Sequence, residues 1–221
     1  MDAKIIFWLV FTALTALVLY LNVKHGILLD ESTRKTKKPY SYSRTQLTWW
    51  TVIILSGFVT VILKYQEIPT LTEGILILLG ISAATSMAAR ITDNSDQDQT
   101  NTKNLIQNLP GDNFLIDILS DSSGVSIHRL QAVLFNLVIG FWFIQKTLAN
   151  IADPTLNMAN ILPDIETNNL ILMGLSAGTY AALKTTENKG VTEKDTATKD
   201  SKKDEDNEID SEIDNEIPPV G

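Results

Sequence analysis

Five stretches without a charged side chain set the limits on how this chain folds: Ile5 to Leu21, Leu47 to Leu63, Gly74 to Ala89, Leu130 to Ile144 and Leu170 to Leu183. A helix crossing a bilayer core needs about 20 apolar residues, with about 17 as the lower limit. The first two runs reach that limit, and the later three reach it with their polar flanks included. A hydrophobic content of 44% would also suit a soluble domain. The constraint comes from clumping rather than from the average. The aromatic and basic flanks of the runs favour membrane spans over helices buried in a soluble core.

The first run follows Met1-Asp2-Ala3-Lys4 and leads into Asn22-Val23-Lys24-His25, with no small-x-small cleavage site. It reads as a retained helix rather than a signal peptide. Lys24, Arg34, Lys35, Lys37, Lys38 and Arg44 lie between the first two runs, and Arg90, Lys103 and Arg129 flank or occupy the segment between the third and fourth. Basic residues collect on the cytoplasmic side. Placing both segments and the tail inside leaves Lys4, Lys64 and Lys146 outside, so 15 of 18 basic residues are cytoplasmic. The expected fold is all-α: an integral membrane protein of five transmembrane helices, amino terminus outside and carboxyl terminus inside. The external loops are then Tyr65 to Thr70 and Thr147 to Asn168, the second broken by Pro154 and Pro163.

A phrase is written twice across four of these runs. Arg44-Thr45-Gln46 opens the second run and Gly80-Ile81-Ser82-Ala83-Ala84-Thr85 lies in the third. Arg129-Leu130-Gln131 opens the fourth, and Gly174-Leu175-Ser176-Ala177-Gly178-Thr179 lies in the fifth. Each copy is a helical hairpin, and both run in the same sense. They are parallel tandem repeats, unlike the inverted repeats of many secondary transporters. Gln46 to Gly80 spans 34 positions and Gln131 to Gly174 spans 43, the difference falling in the second external loop.

Helices in lipid associate through small residues and interhelical hydrogen bonds. Gly80 with Ala84, Ser82 with Ser86, and Gly174 with Gly178 are small-xxx-small pairs, expected to make close contacts in spans three and five. Arg44 and Arg129 snorkel or cap at the membrane boundary. Gln46 and Gln131 lie just deeper, with Thr85 and Thr179 as their expected hydrogen-bond partners across each hairpin. The alternative use of Gly80, Ser82, Ala84, Thr85, Gly174, Ser176, Gly178 and Thr179 is to line a pore. Ser82 and Ser176 lack the strand-turn-helix setting of a hydrolase nucleophile.

The tandem pattern, from Tyr42 to Lys184, resembles a group of uncharacterised bacterial multipass membrane proteins whose hairpins carry an Arg-x-Gln opening and a Gly-Ile-Ser-x-x-Thr close. The resemblance implies a membrane-embedded repeat domain in a bacterial inner membrane and brings no catalytic residues.

Asn136 is the strongly polar residue well inside a span and is read as an interhelical hydrogen-bond partner; a buried charge relay of the kind used by proton pumps is not visible. The chain has no cysteine, which excludes thiolate chemistry, and His25 and His128 lie far apart without clustered carboxylates. No catalytic residue, metal site or cofactor is expected. Arg34-Lys35-Thr36-Lys37-Lys38 reads as topology-setting and attractive to anionic lipid.

After the polar stretch Asp93 to Gln107, Phe114, Leu115, Ile118 and Leu119 fall at helical spacing behind Asp112 or Asn113, predicting a short amphipathic helix on the cytoplasmic surface. The segment from Lys184 to Gly221 is expected to be disordered, and its 6 Lys against 12 Asp or Glu leave it acidic, which disfavours a nucleic-acid partner.

The chain therefore divides into an N-terminal span (1–23), a basic loop (24–43), a first hairpin (44–90), a cytoplasmic loop (91–128), a second hairpin (129–184) and an acidic tail (185–221). The expected function is a non-catalytic scaffold or assembly module. Its partners are the lipid bilayer, a second copy in a homo-oligomer, and a cytoplasmic protein engaged through the tail. The alternative is an oligomeric channel subunit.

Overall fold

The computed structural model describes residues 2–30, 32, 37–99, 110–121, 124–153, 155–156 and 160–186. The acidic tail beyond 186, the basic residues Arg34 and Lys35, and the polar stretch 100–109 lie outside the described residues. Six helices dominate the described residues: α1 (Ala3–His25), α2 (Tyr42–Tyr65), α3 (Glu73–Gln99), α4 (Phe114–Leu119), α5 (Ile127–Ala152) and α6 (Thr167–Thr186). Four are long and apolar enough to cross a membrane: α1, α2, the Glu73–Ser95 part of α3, and α5. The chain is mostly helical, as its sequence requires of an integral membrane protein. Besides the helices, the described residues hold a two-residue antiparallel ladder between β1 (Ser120–Asp121) and β2 (Gly124–Val125), just ahead of α5, and an isolated antiparallel bridge between Leu29 and Tyr40.

Local chemistry accounts for the ends. Asp2 caps α1 by accepting from the Lys4 amide at 3.1 Å. Gly26, at φ 66°, ends that helix by returning its amide to the Asn22 carbonyl. The helix is apolar around most of its circumference, yet Ala3, Ile6 and Phe7 are its buried residues. Leu9, Leu17 and Leu19 stand exposed, as suits a lipid-facing helix.

α2 is the central helix and touches α1, α3, α4 and α5. Its neighbours fix the directions. Trp50 meets Phe143, and near the far end the Lys64 and Tyr65 side chains donate to the Ile151 carbonyl at 3.0 and 2.8 Å. α2 and α5 therefore run parallel. Gly74 lies against Ile165, and Ile81 against Gly174, so α3 and α6 also run parallel. The core between them is filled by Phe7, Trp50, Ile53, Ile75, Leu78, Phe143 and Met173.

Two features depart from the sequence reading. First, α3 does not stop near Arg90: no Gly or Pro lies between that residue and Gln99, and the helix continues to Gln99. Asp93, expected in a polar loop, is on that helix and 1% exposed. Second, the segment before α6 is not simply an external loop. Ile161, Leu162 and Ile165 are each 1% exposed and pack into the helix core. The Asn150 side-chain amide donates to the carbonyls of Asn160 and Ile161, and Asp164 accepts from the Gly74 amide at 3.1 Å, which caps α3 from outside its own sequence. The fifth charge-free run forms a helix as expected, α6, alongside the four helices that are long and apolar enough to span.

The short helix α4 forms where the spacing placed it. Asn113 is its cap, accepting from the Ile116 amide at 3.0 Å. Asp117 then bolts α4 to the segment before α2 by accepting from the Tyr40 amide at 3.1 Å, and ties down its own lead-in by accepting from the Asp112 amide at 2.9 Å.

Candidate functional site

The two repeated phrases lie on helices that touch, but their residues do not share one face. An α-helix turns about 100° per residue, so residues two apart point to nearly opposite sides. On α3, Ile75, Leu78, Ser82, Thr85 and Ala89 are buried on one face. Gly80 and Ala84 are on the other: both are exposed, and a Cβ built on Gly80 would meet nothing within 4 Å. On α6 the buried residues are Leu170, Met173 and Ala177, with Gly174 half-buried and its Cβ position 3.4 Å from Ile81. Gly178 is exposed and also faces open space. The expectation that the Gly80–Ala84 row and Gly178 make close contacts within the chain is therefore corrected. The buried positions of the two phrases are Ser82, Thr85 and Ala177, with Gly174 against Ile81.

The expected glutamine-to-threonine bond across the first hairpin is absent. Gln46 is buried at 4% exposure with neither amide atom hydrogen-bonded. Thr85 instead donates to the Ile81 carbonyl of its own helix at 2.7 Å. In the second hairpin Gln131 is exposed, while Thr179 donates to the Leu175 carbonyl at 2.9 Å and Ser176 to the Leu172 carbonyl at 3.0 Å. Hydroxyls in apolar helices find their nearest acceptor one turn back. That local bond competes with any partner on another helix. Ser82 and Thr147 are fully buried with no hydroxyl partner. Arg44 and Arg129 are half-buried at the starts of α2 and α5, and the Arg129 guanidinium donates to the Ser120 carbonyl in the β1 ladder.

Asn136 is the organising polar residue. Its Oδ1 accepts from Trp50 Nε1 at 2.6 Å, and its Nδ2 donates to Tyr42 Oη at 3.3 Å and to the Ala132 carbonyl at 2.8 Å. Its own carbonyl accepts from Trp49 Nε1 at 3.2 Å. One asparagine thus joins α5 to three aromatic side chains of α2. The close approach depends on Gly140, whose added Cβ would lie 2.6 Å from Trp49 Nε1. Sequence reasoning does not single out the tandem tryptophans. Adjacent positions on a helix diverge, so one indole faces the core, with Trp50 at 0% exposure, while Trp49 stands at its margin.

Trp49 separates two apolar clefts. One, of about 290 Å³, lies between α2, α4 and α5 and is lined by Gln46, Trp49, Leu115, Val133 and Leu137 among others. The other, of about 370 Å³, lies between α1, α2 and α4 and includes Phe11, Val18, Thr48 and Val52. Thr45, Trp49 and Phe114 border both. Among the described residues no three His, Asp or Glu side chains come together in a metal-binding group. No protein-family model, curated protein or solved structure matches this chain.

Proposed function

We propose that this chain is a non-catalytic membrane assembly module that docks on a second copy through the outward row of α3, formed by Gly80, Ala84 and the half-buried Ala88. The observation that carries the reading is the open space at Gly80 and Gly178, on neighbouring parallel helices. Small residues at four-residue spacing let helix backbones approach closely in lipid, where hydrophobic burial between helices gains little. In this reading α6 is the fifth span: its 20 residues reach about 30 Å, enough for a bilayer core. The two hairpins are tandem copies, the amino terminus is outside, and the acidic tail lies in the cytoplasm to engage a protein partner.

The chain contains no cysteine, so single cysteines report cleanly. Cysteine at Gly80 or Ala84 is expected to cross-link two copies in the membrane, and cysteine at Leu63 or Trp142, exposed on other helices, is not. Equal cross-linking at all four positions, or a monomer throughout, sinks the assembly reading. The channel reading uses the same outward row as the wall of a path between copies. Solute flux through liposomes holding the purified protein, abolished by Gly80→Leu, would favour it over a scaffold.

A further inference from the structure

We propose that the cleft between α2, α4 and α5 binds one uncharged single-chain lipid, whose head donates a hydrogen bond to the Gln46 amide oxygen and accepts one from the amide nitrogen. The observation behind it is one unmet group in an otherwise satisfied wall. Gln46 lines the cleft, is 4% exposed, and has no partner at either amide atom. The other polar side chains of the wall are engaged. Thr45 donates to the Ser41 carbonyl at 2.8 Å and Trp49 to the Asn136 carbonyl at 3.2 Å. The Asn136 amide joins Trp50, Tyr42 and the Ala132 carbonyl. A buried amide left unbonded is costly, and a ligand that supplies both bonds removes that cost. The terminal torsion of a glutamine is soft, and no hydrogen bond holds this one, so the amide turns into the cleft with little strain.

The wall also selects against charge. None of the described lining residues carries a charge at neutral pH. Asp117 of α4, and Arg44, His128 and Arg129 near the starts of α2 and α5, are not among them. Asp117 accepts from the Tyr40 and Asp112 amides, and Arg129 donates to the Ser120 carbonyl. An ion in the cleft would lose its water and meet no counter-charge. Depth fixes the order of head and chain. The 24 residues of α2 reach about 36 Å against a bilayer core of about 30 Å. Gln46 is the fifth of them, close to one boundary, where a lipid's head meets its chain. Trp49, and Val133 and Leu137 on the parallel α5, continue the wall toward the interior as an apolar track. The cleft's volume of about 290 Å³ is near the lower limit of about 300 Å³ for small-molecule sites, which suits one chain rather than two.

This inference rests on membrane insertion and not on the assembly reading, so cross-linking at Gly80 is unaffected by its failure. The test uses the full chain, delipidated in detergent, and native mass spectrometry with three single-chain probes. Monoolein has a head that donates and accepts, methyl oleate only accepts, and monoacyl phosphatidylglycerol is charged. Monoolein is expected to be retained one per chain, about fivefold ahead of methyl oleate, the gain of one neutral hydrogen bond, and ahead of the charged lipid. Gln46→Leu removes no bond from the fold and should abolish the preference for monoolein over methyl oleate. Val133→Phe fills the track and should weaken retention of both. Equal retention of monoolein and methyl oleate overturns the proposal, as does a charged lipid held as well as monoolein. A preference that survives Gln46→Leu overturns it too. The comparisons between lipids are made on the unmodified chain and stand even where the cleft-filling variant fails to fold.

Discussion

Trp50 Nε1 donates to Asn136 Oδ1 at 2.6 Å, joining α2 to α5 inside the apolar core. Both side chains are buried, at 0% and 6% exposure. An interhelical bond in a membrane contributes about 0.6 kcal/mol on average and up to about 1.7. Asn136→Leu also strands the Trp50 indole N–H, which adds the cost of an unmade bond. The variant is expected to lose about 2 kcal/mol in detergent unfolding. Combining it with Trp50→Phe should cost less than the two single changes together. Strict additivity would show that the bond is not a coupling between these helices.

Gln46 is the opposite case. Its amide is buried with no partner, a state that costs about 1–3 kcal/mol. Gln46→Leu is therefore expected to leave thermal stability unchanged or to raise it. A clear fall in melting temperature would mean that the amide is bonded in the membrane after all.

The glycines separate by what surrounds them. A Cβ at Gly140 would drive into the Trp49 indole, with contacts of 2.6 to 2.9 Å. Gly140→Ala should destabilise by about 1–3 kcal/mol, as overpacking does. Gly80→Ala meets open space and gains helix propensity, so the monomer should be unchanged or more stable by about 0.5–1 kcal/mol. Comparable losses at both positions would refute the assignment of Gly80 to the outer face.

Much of this fold is legible in the sequence because bilayer-length runs and helical spacing are local signals. The runs 5–21 and 47–63 fall within α1 and α2, Asn136 stands out as a polar residue in an apolar helix, and Asn113 caps α4. What is not legible depends on other helices. The motif Gly80-Ile81-Ser82 looks like a single unit in one dimension, yet its ends face opposite sides of α3. The apolar Ile161, Leu162 and Ile165 sit around Pro163 too briefly to signal an element, and their burial depends on the helices packed around them.

Asp164 makes that segment testable. It accepts from the Gly74 amide at the start of α3, and losing such a cap costs about 1 kcal/mol. Asp164→Ala is expected to lower stability by about that amount and to speed amide exchange at Ile161 and Leu162. Exchange unchanged at those two residues would show that the segment is held by apolar packing without the cap.

Asp153, just beyond α5, accepts from the Thr155 hydroxyl at 2.6 Å and the Thr155 amide at 2.9 Å. These bonds favour the charged carboxylate and hold its pKa below the usual aspartate range, the side-chain bond contributing most. The sign follows from linkage: a depressed folded-state pKa supports the turn above the ordinary aspartate value, and that support is lost as pH falls through the lowered one. Thr155→Val removes the hydroxyl and keeps the amide. The Asp153 carboxyl carbon, followed by NMR titration, should then move its midpoint upward while staying somewhat below an unbonded aspartate. A midpoint unaltered by the substitution would assign the shift to the backbone amide instead of the hydroxyl.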